Sequence, residues 1–222
     1  MLRVEKFKFY TKKTTWGIFA ILAMVIGIYP LLYLFNDGTY GLLASKPSEL
    51  LNNFLYNVGF YGHIIFGGVA LLIGWVQFNK NIRAKRIRLH RLIGAIYIIS
   101  VLISGILGFY IALNATGGII AKTGFSTLAI IWLTTTILGF NSIRKKEVDR
   151  HEKFMIYSYS ACFAAVTLRV WLPLLTNLFD DFLIAYRTVS WVCWVPNLIV
   201  AFYIINNIKL KRMIKKRKKS LA

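Results

Sequence analysis

Six stretches of mostly apolar residues, at about 16–35, 55–78, 92–113, 125–143, 154–176 and 182–206, constrain this chain more than any other feature. Each is close to the roughly 20 residues that cross a hydrocarbon core as an α-helix. Inside lipid every backbone N–H and C=O must be satisfied within the segment, which a helix does and an isolated extended strand does not. The expected fold is therefore all-α: an integral membrane protein with six transmembrane helices, residues 1–222 forming a single transmembrane domain. Composition agrees. Apolar residues make up 57% of the chain and charged residues 16%, against about 25% charged in a soluble domain. Mean hydropathy is +0.59. A water-soluble globule could not hide so much apolar surface, and disorder requires the opposite composition. Cys162 and Cys193 lie inside apolar runs and form neither a CxxC motif nor a disulfide framework.

A formal net charge of +20 invites a nucleic-acid reading, and the distribution argues against it. The N-terminal segment, residues 79–91, residues 144–153 and the tail 207–222 carry 5, 6, 5 and 8 of the 28 Lys and Arg residues. The three alternate loops carry only Lys46, Lys122 and Arg187. Acidic residues divide evenly between the two sets. Positive charge marks the cytoplasmic side, so both termini are expected inside, with 207–222 a basic cytoplasmic tail. The expected partners of that face are anionic lipid headgroups, not nucleic acid. The first apolar run has no clear small-residue cleavage site after it and reads as a retained span.

Two turns on the basic side look alike. Phe78-Asn79 precedes Ile82-Arg83 and His90, and Phe140-Asn141 precedes Ile143-Arg144 and His151. This pairing suggests that spans two–three and four–five are parallel repeats about an axis along the membrane normal.

Helical periodicity sorts the remaining polar residues into stripes. Span five aligns His151, Met155, Ser158, Cys162, Ala165 and Arg169. Span three aligns His90, Gly94, Tyr97, Val101, Ser104 and Gly108 at the same offsets. Span two aligns His63, Gly67, Ala70, Gly74 and Gln77, and span four aligns Trp132, Thr136 and Gly139. Polar groups within a membrane face the bundle interior. Spans two to five are thus expected to form a central four-helix bundle, with spans one and six peripheral. The small residues fit either close helix packing or a groove for a flat ligand. Eighteen residues of helix, about 27 Å, separate His151 from Arg169. His63 and Arg169 are expected in an outer layer, and His90 and His151 in an inner one.

Neutral imidazole is the commonest haem ligand, and facing helices of a bundle often supply two. His90 and His151 are accordingly the candidate axial pair of a haem b, and otherwise no cofactor is expected. His63 and Arg169 are candidates for a second haem or a quinone headgroup, with Tyr97, Gln77 and Trp132 lining the space. The plainer alternatives are interfacial histidines bound to carbonyls or phosphates, and Arg169 reaching towards Asp180 or Asp181. No carboxylate lies inside a span, which weakens an ion-coupled pump. No GxSxG, HExxH or phosphate-loop motif is present, so hydrolase chemistry has no support.

The run His63-x-x-x-Gly67, Gln77-Phe78, His90-Arg91-x-x-Gly94-x-x-Tyr97, Trp132-Leu133-x-Thr135-Thr136, His151-x-x-x-Met155 and Arg169 resembles a bacterial family, the domain of unknown function 2306. The resemblance covers about residues 60–175 and implies a multi-pass protein of the bacterial cell membrane, with no established activity. A looser likeness is to the ascorbate-dependent transmembrane cytochromes b, whose spans two to five supply haem histidines. Here span four supplies none. The expected function is a haem- or quinone-associated membrane redox protein. The alternative is a small-molecule or lipid transporter, or an accessory subunit, using the same polar interior.

Overall fold

A computed structural model describes residues 2–34 and 41–220, and no strand occurs among them. The helices form where apolar runs leave the backbone no other way to satisfy itself, and local polar residues set their ends. Helix α1 spans Leu2–Ile28 and continues as a 3-10 turn, Tyr29–Leu34. A second 3-10 turn, Gly41–Ser45, and the short α2, Ser48–Leu51, lead into α3, Phe54–Gly74. Asn53 caps α3, its side-chain oxygen accepting from Tyr56 N at 3.0 Å. A 3-10 turn, Trp75–Phe78, and α4, Lys80–Lys85, precede α5, Ile87–Ala112. Gly117, at φ +103°, makes the tight left-handed entry into α6, Gly118–Arg144.

Spans five and six are each broken. The fifth is α7, Val148–Cys162, followed by α8, Ala164–Phe179. The sixth is α9, Phe182–Val192, followed by α10, Val195–Ser220. Asn197 stitches the two breaks together. Its amide nitrogen shares two protons among Ser160 O at 3.3 Å, Thr167 Oγ1 at 3.1 Å and Cys193 O at 2.9 Å. Thr167 Oγ1 also donates to Cys193 O. A side chain inserted at a helix interruption supplies donors that the broken backbone ladder does not.

Among the described residues six helices are long and apolar enough to cross a membrane. The helical segments extend beyond the apolar runs at several ends: the third begins at Ile87, the fourth covers Gly118–Arg144 and the fifth Val148–Phe179. Hydropathy marks the hydrocarbon thickness, whereas a helix continues into the headgroup layer. Phe35, expected to close span one, lies outside the described residues.

Helices α3, α5, α6 and α7–α8 form the central ring, with α1 against α3 and α8, and α9–α10 against α6, α7 and α8. Spans one and six are peripheral, as their composition suggests. The core is built from the stripes: Ala70, Tyr97, Val101, Ser104, Trp132, Thr136, Ser158 and Cys162 are all buried. The outward faces carry exposed aliphatics such as Ile106, 62% exposed, suited to lipid.

Side-chain contacts define two faces. On the basic face Arg212 of α10 pairs with Asp149 at 2.6 Å and with Glu152, which also meets Arg83 at 3.5 Å. On the other face Lys46 Nζ donates to Asn114 O at 2.7 Å and Thr116 Oγ1 at 3.0 Å, and Arg187 Nε donates to Gly117 O at 2.9 Å. The two turns that look repeated in sequence differ. Asn79 is a cap, accepting from Asn81 N and Ile82 N ahead of the extra helix α4, whereas Asn141 lies within α6. The likeness of the turns stops at residue order.

Candidate functional site

The inward stripes do not close completely. Towards the face opposite the basic one they leave a cavity of about 200 Å³ between α3, α5, α6 and the junction of α7 with α8. Pro30 of the first span and Leu42 and Lys46 of the following turn also border it, as does Tyr186 of α9. Its walls are mainly apolar and aromatic. Three basic side chains, His63, Arg169 and Lys46, line it.

His63 is held firmly. Ser104 O lies 2.9 Å from its Nδ1, and Ser104 Oγ lies 3.1 Å from the same nitrogen. The Ser104 hydroxyl donates to His63 O at 2.8 Å. Gly108 makes the ring's place: a Cβ there would stand 2.6 Å from Nδ1. Glycine is required here by close approach, because any side chain would push the imidazole off Ser104.

Arg169 stands on α8 with its guanidinium 4.4 Å from the centre of the Tyr29 ring, a cation–π contact. Its Nη1 donates to Ala165 O at 2.8 Å. Among the described residues no carboxylate pairs with it. The expected reach towards Asp180 or Asp181 does not occur: Asp181 instead caps α9, accepting from Leu183 N at 2.6 Å and Ile184 N at 3.0 Å. Arg169 and His63 are close enough to interact electrostatically.

Lys46 lies outside the spans. Burial, and secondarily the Lys122 ammonium, push its amine from the ordinary 10.5 down to about 8. Sequence reasoning counts Lys46 only as a loop charge. Its cavity role, like those of Tyr56 and Tyr186, depends on a loop folding back over the bundle, for which periodicity gives no signal. The nearest signal is the scarcity of basic residues on that side.

The other candidate residues separate by depth. Trp132 lines the cavity, and its buried Nε1 lies near the Tyr97 hydroxyl without meeting hydrogen-bond geometry. Tyr97 lies deeper, outside the cavity lining, in a buried hydroxyl chain. Its OH is 2.8 Å from Ser158 Oγ, which is 2.6 Å from Thr136 Oγ1, which donates to Trp132 O at 2.7 Å. Beside it Tyr159 OH donates to Leu71 O at 2.9 Å. Gln77 is at the basic end, where its Nε2 donates to His90 O at 3.2 Å. His90 lies near His151 there, and neither lines the cavity. His151 Nδ1 is 2.9 Å from Gly139 O, a carbonyl that only accepts, so this nitrogen carries the proton. His90 Nδ1 and Gln77 Oε1 are buried without partners among the described residues.

The stripe of small residues serves mostly as packing. A Cβ at Gly74 would meet Tyr159 at 2.4 Å and Tyr97 at 2.8 Å, and one at Gly139 would meet Met155 Sδ at 2.8 Å. Gly67, Gly68, Gly105 and Gly108, at the other end, line the cavity, although a Cβ at Gly68, Gly105 or Gly108 would also meet a neighbour at 2.7, 2.6 or 2.6 Å.

These features define a class: a multi-pass helical membrane protein whose bundle encloses an apolar cavity with basic side chains along its wall. The model of the family described as "Predicted membrane protein (DUF2306)" matches residues 60–205. The chain belongs to that family. No curated protein and no solved structure matches it.

Proposed function

We propose that the protein binds an amphipathic small molecule within the bilayer, its polar head held by His63 and Arg169 and its body in the apolar cavity. The observation that carries this reading is that these two side chains line one cavity among apolar and aromatic groups, with no carboxylate among the described residues paired to Arg169. A buried cation without a counter-charge is costly in a membrane, and a ligand oxygen offsets that cost. Aromatic walls with a few convergent polar groups are the usual make-up of a small-molecule site. A quinone-type or acidic lipid head can accept from Arg169, in a carrier, an accessory subunit or a redox protein. Under this reading the membrane is the bacterial cell membrane. The basic face with the tail 207–222 lies at the cytoplasm against anionic lipid, following the charge asymmetry.

The test is thermal melting of purified protein in mild detergent with decyl-benzoquinone, decyl-hydroquinone and dodecanoate. At least one is expected to raise the midpoint in wild type and to lose that effect in Arg169→Gln. No shift with any of the three would sink the proposal.

Haem b between His90 and His151 is a second reading. It is supported by the tautomer of His151, whose Nδ1 contact with Gly139 O leaves Nε2 as a bare ligand atom. A porphyrin reaching inward from the two rings would have to displace Met155 from Gly139 and the tyrosines from Gly74. Absorbance that sharpens with dithionite and disappears in His151→Ala would support it. A colourless protein from haem-replete cells would remove it.

A further inference from the structure

The proposed binding site carries donor and acceptor roles that narrow the ligand class. His63 Nδ1 faces Ser104 O, a carbonyl that can only accept, so Nδ1 holds the ring proton. Ser104 Oγ does not compete for that role, because its own proton goes to His63 O. It is instead a second acceptor for Nδ1–H. In the neutral ring Nε2 is then a bare acceptor. Turning the ring over would abandon both Ser104 contacts, and the ring is packed closely against Gly108. Among the described residues no hydrogen bond engages Nε2, and His63 lines the cavity.

Arg169 supplies the complementary role. Nη1 uses one proton on Ala165 O, and Tyr29 covers a face of the guanidinium, leaving its edge donors for the cavity. The site thus offers donors from Arg169 beside an acceptor from His63. One hydroxyl oxygen satisfies both, accepting from the guanidinium while donating its proton to Nε2. A ketone, an ester or a carboxylate can accept from Arg169 but sets lone pairs against Nε2. Phe60, Phe125 and Trp132 along the wall suit a flat ring.

We infer that the cavity selects an aromatic hydroxyl head on an apolar tail, a hydroquinone in preference to the corresponding quinone, with His63 as the discriminating residue. This rests on the binding reading above and involves no covalent step.

Calorimetric titration of the full chain in detergent tests it, with decyl-hydroquinone kept reduced, its quinone and its dimethyl ether as probes. The hydroquinone is expected to bind about tenfold tighter than either analogue, the usual consequence of one orphaned acceptor. His63→Asn supplies a discriminating variant. The shorter amide keeps an N–H near Ser104 O and removes the Nε2 acceptor. Its preference should fall to about twofold or less through weaker hydroquinone binding, in protein whose circular dichroism shows the helices intact. Equal binding of hydroquinone and quinone by wild type would overturn the inference and leave the binding reading standing. A wild-type preference that survives intact in folded His63→Asn would also overturn it. No binding of any probe would remove the binding reading itself.

Discussion

The buried hydroxyl chain makes a quantitative prediction, because its direction is fixed at one end. Thr136 gives its proton to Trp132 O, so Ser158 must donate to Thr136, and Tyr97 must donate to Ser158. Ser158 and Thr136 are 0% exposed and Tyr97 1%, so no solvent replaces a lost partner. Ser158→Ala strands the Tyr97 O–H donor. Orphaning a buried donor costs about 1–3 kcal/mol. Side-chain hydrogen bonds inside membranes run lower, averaging about 0.6 and reaching about 1.7 kcal/mol. The expected loss is therefore about 1–2 kcal/mol. Tyr97→Phe leaves Ser158 donating to Thr136 and should cost about 0.5–1 kcal/mol. The double variant strands nothing, so the two losses should fall short of additivity by about 1 kcal/mol. Reversible unfolding in mixed micelles of increasing SDS fraction measures all three. Strict additivity would refute the chain, as would a larger loss in Tyr97→Phe than in Ser158→Ala.

Gly108→Ala should cost about 1–3 kcal/mol by overpacking and push His63 off Ser104, so ligand-dependent stabilisation is lost along with some melting temperature. With the Lys46 amine at about 8 in the folded chain and 10.5 as its ordinary value, the unfolded chain binds more protons between those pH values. Stability should rise from about pH 8 to about 10.5, and Lys46→Met should flatten that part of a melting-versus-pH profile. Asn197→Leu removes donors from both helix breaks and should cost about 1–2 kcal/mol, read as faster hydrogen exchange around Ser160–Thr167 and Cys193–Asn197. Little change at those amides would show that the breaks are held by packing alone.

The spans, their inward stripes and the layering of His63 with Arg169 were legible because each depends on spacing along a helix. Three things were not. The helix break at Phe163 leaves no mark in periodicity, since the stripe Cys162, Ala165 and Arg169 continues across it, whereas Pro196, with no N–H for Val192 O, marks the one at Cys193. The partition of small residues between packing and open space depends on what the neighbouring helix presents: tyrosines at Gly74, an imidazole at Gly108. Residues from loops and peripheral spans, Lys46, Tyr29 and Tyr186 among them, reach the site only through tertiary packing. Tyr97 and Gln77 share stripes with cavity residues but sit at other depths, which a projection down the helix axis cannot separate.

The central claim is that the cavity holds a small amphipathic molecule by its polar head. Native mass spectrometry of the protein released from its own membranes tests this most directly. The account predicts a single non-protein mass bound one-to-one to wild type. That mass should be lost in Arg169→Gln and retained in Arg212→Ala, whose change lies on the opposite face. A wild type without any such adduct, or one whose adduct is indifferent to Arg169, would contradict it.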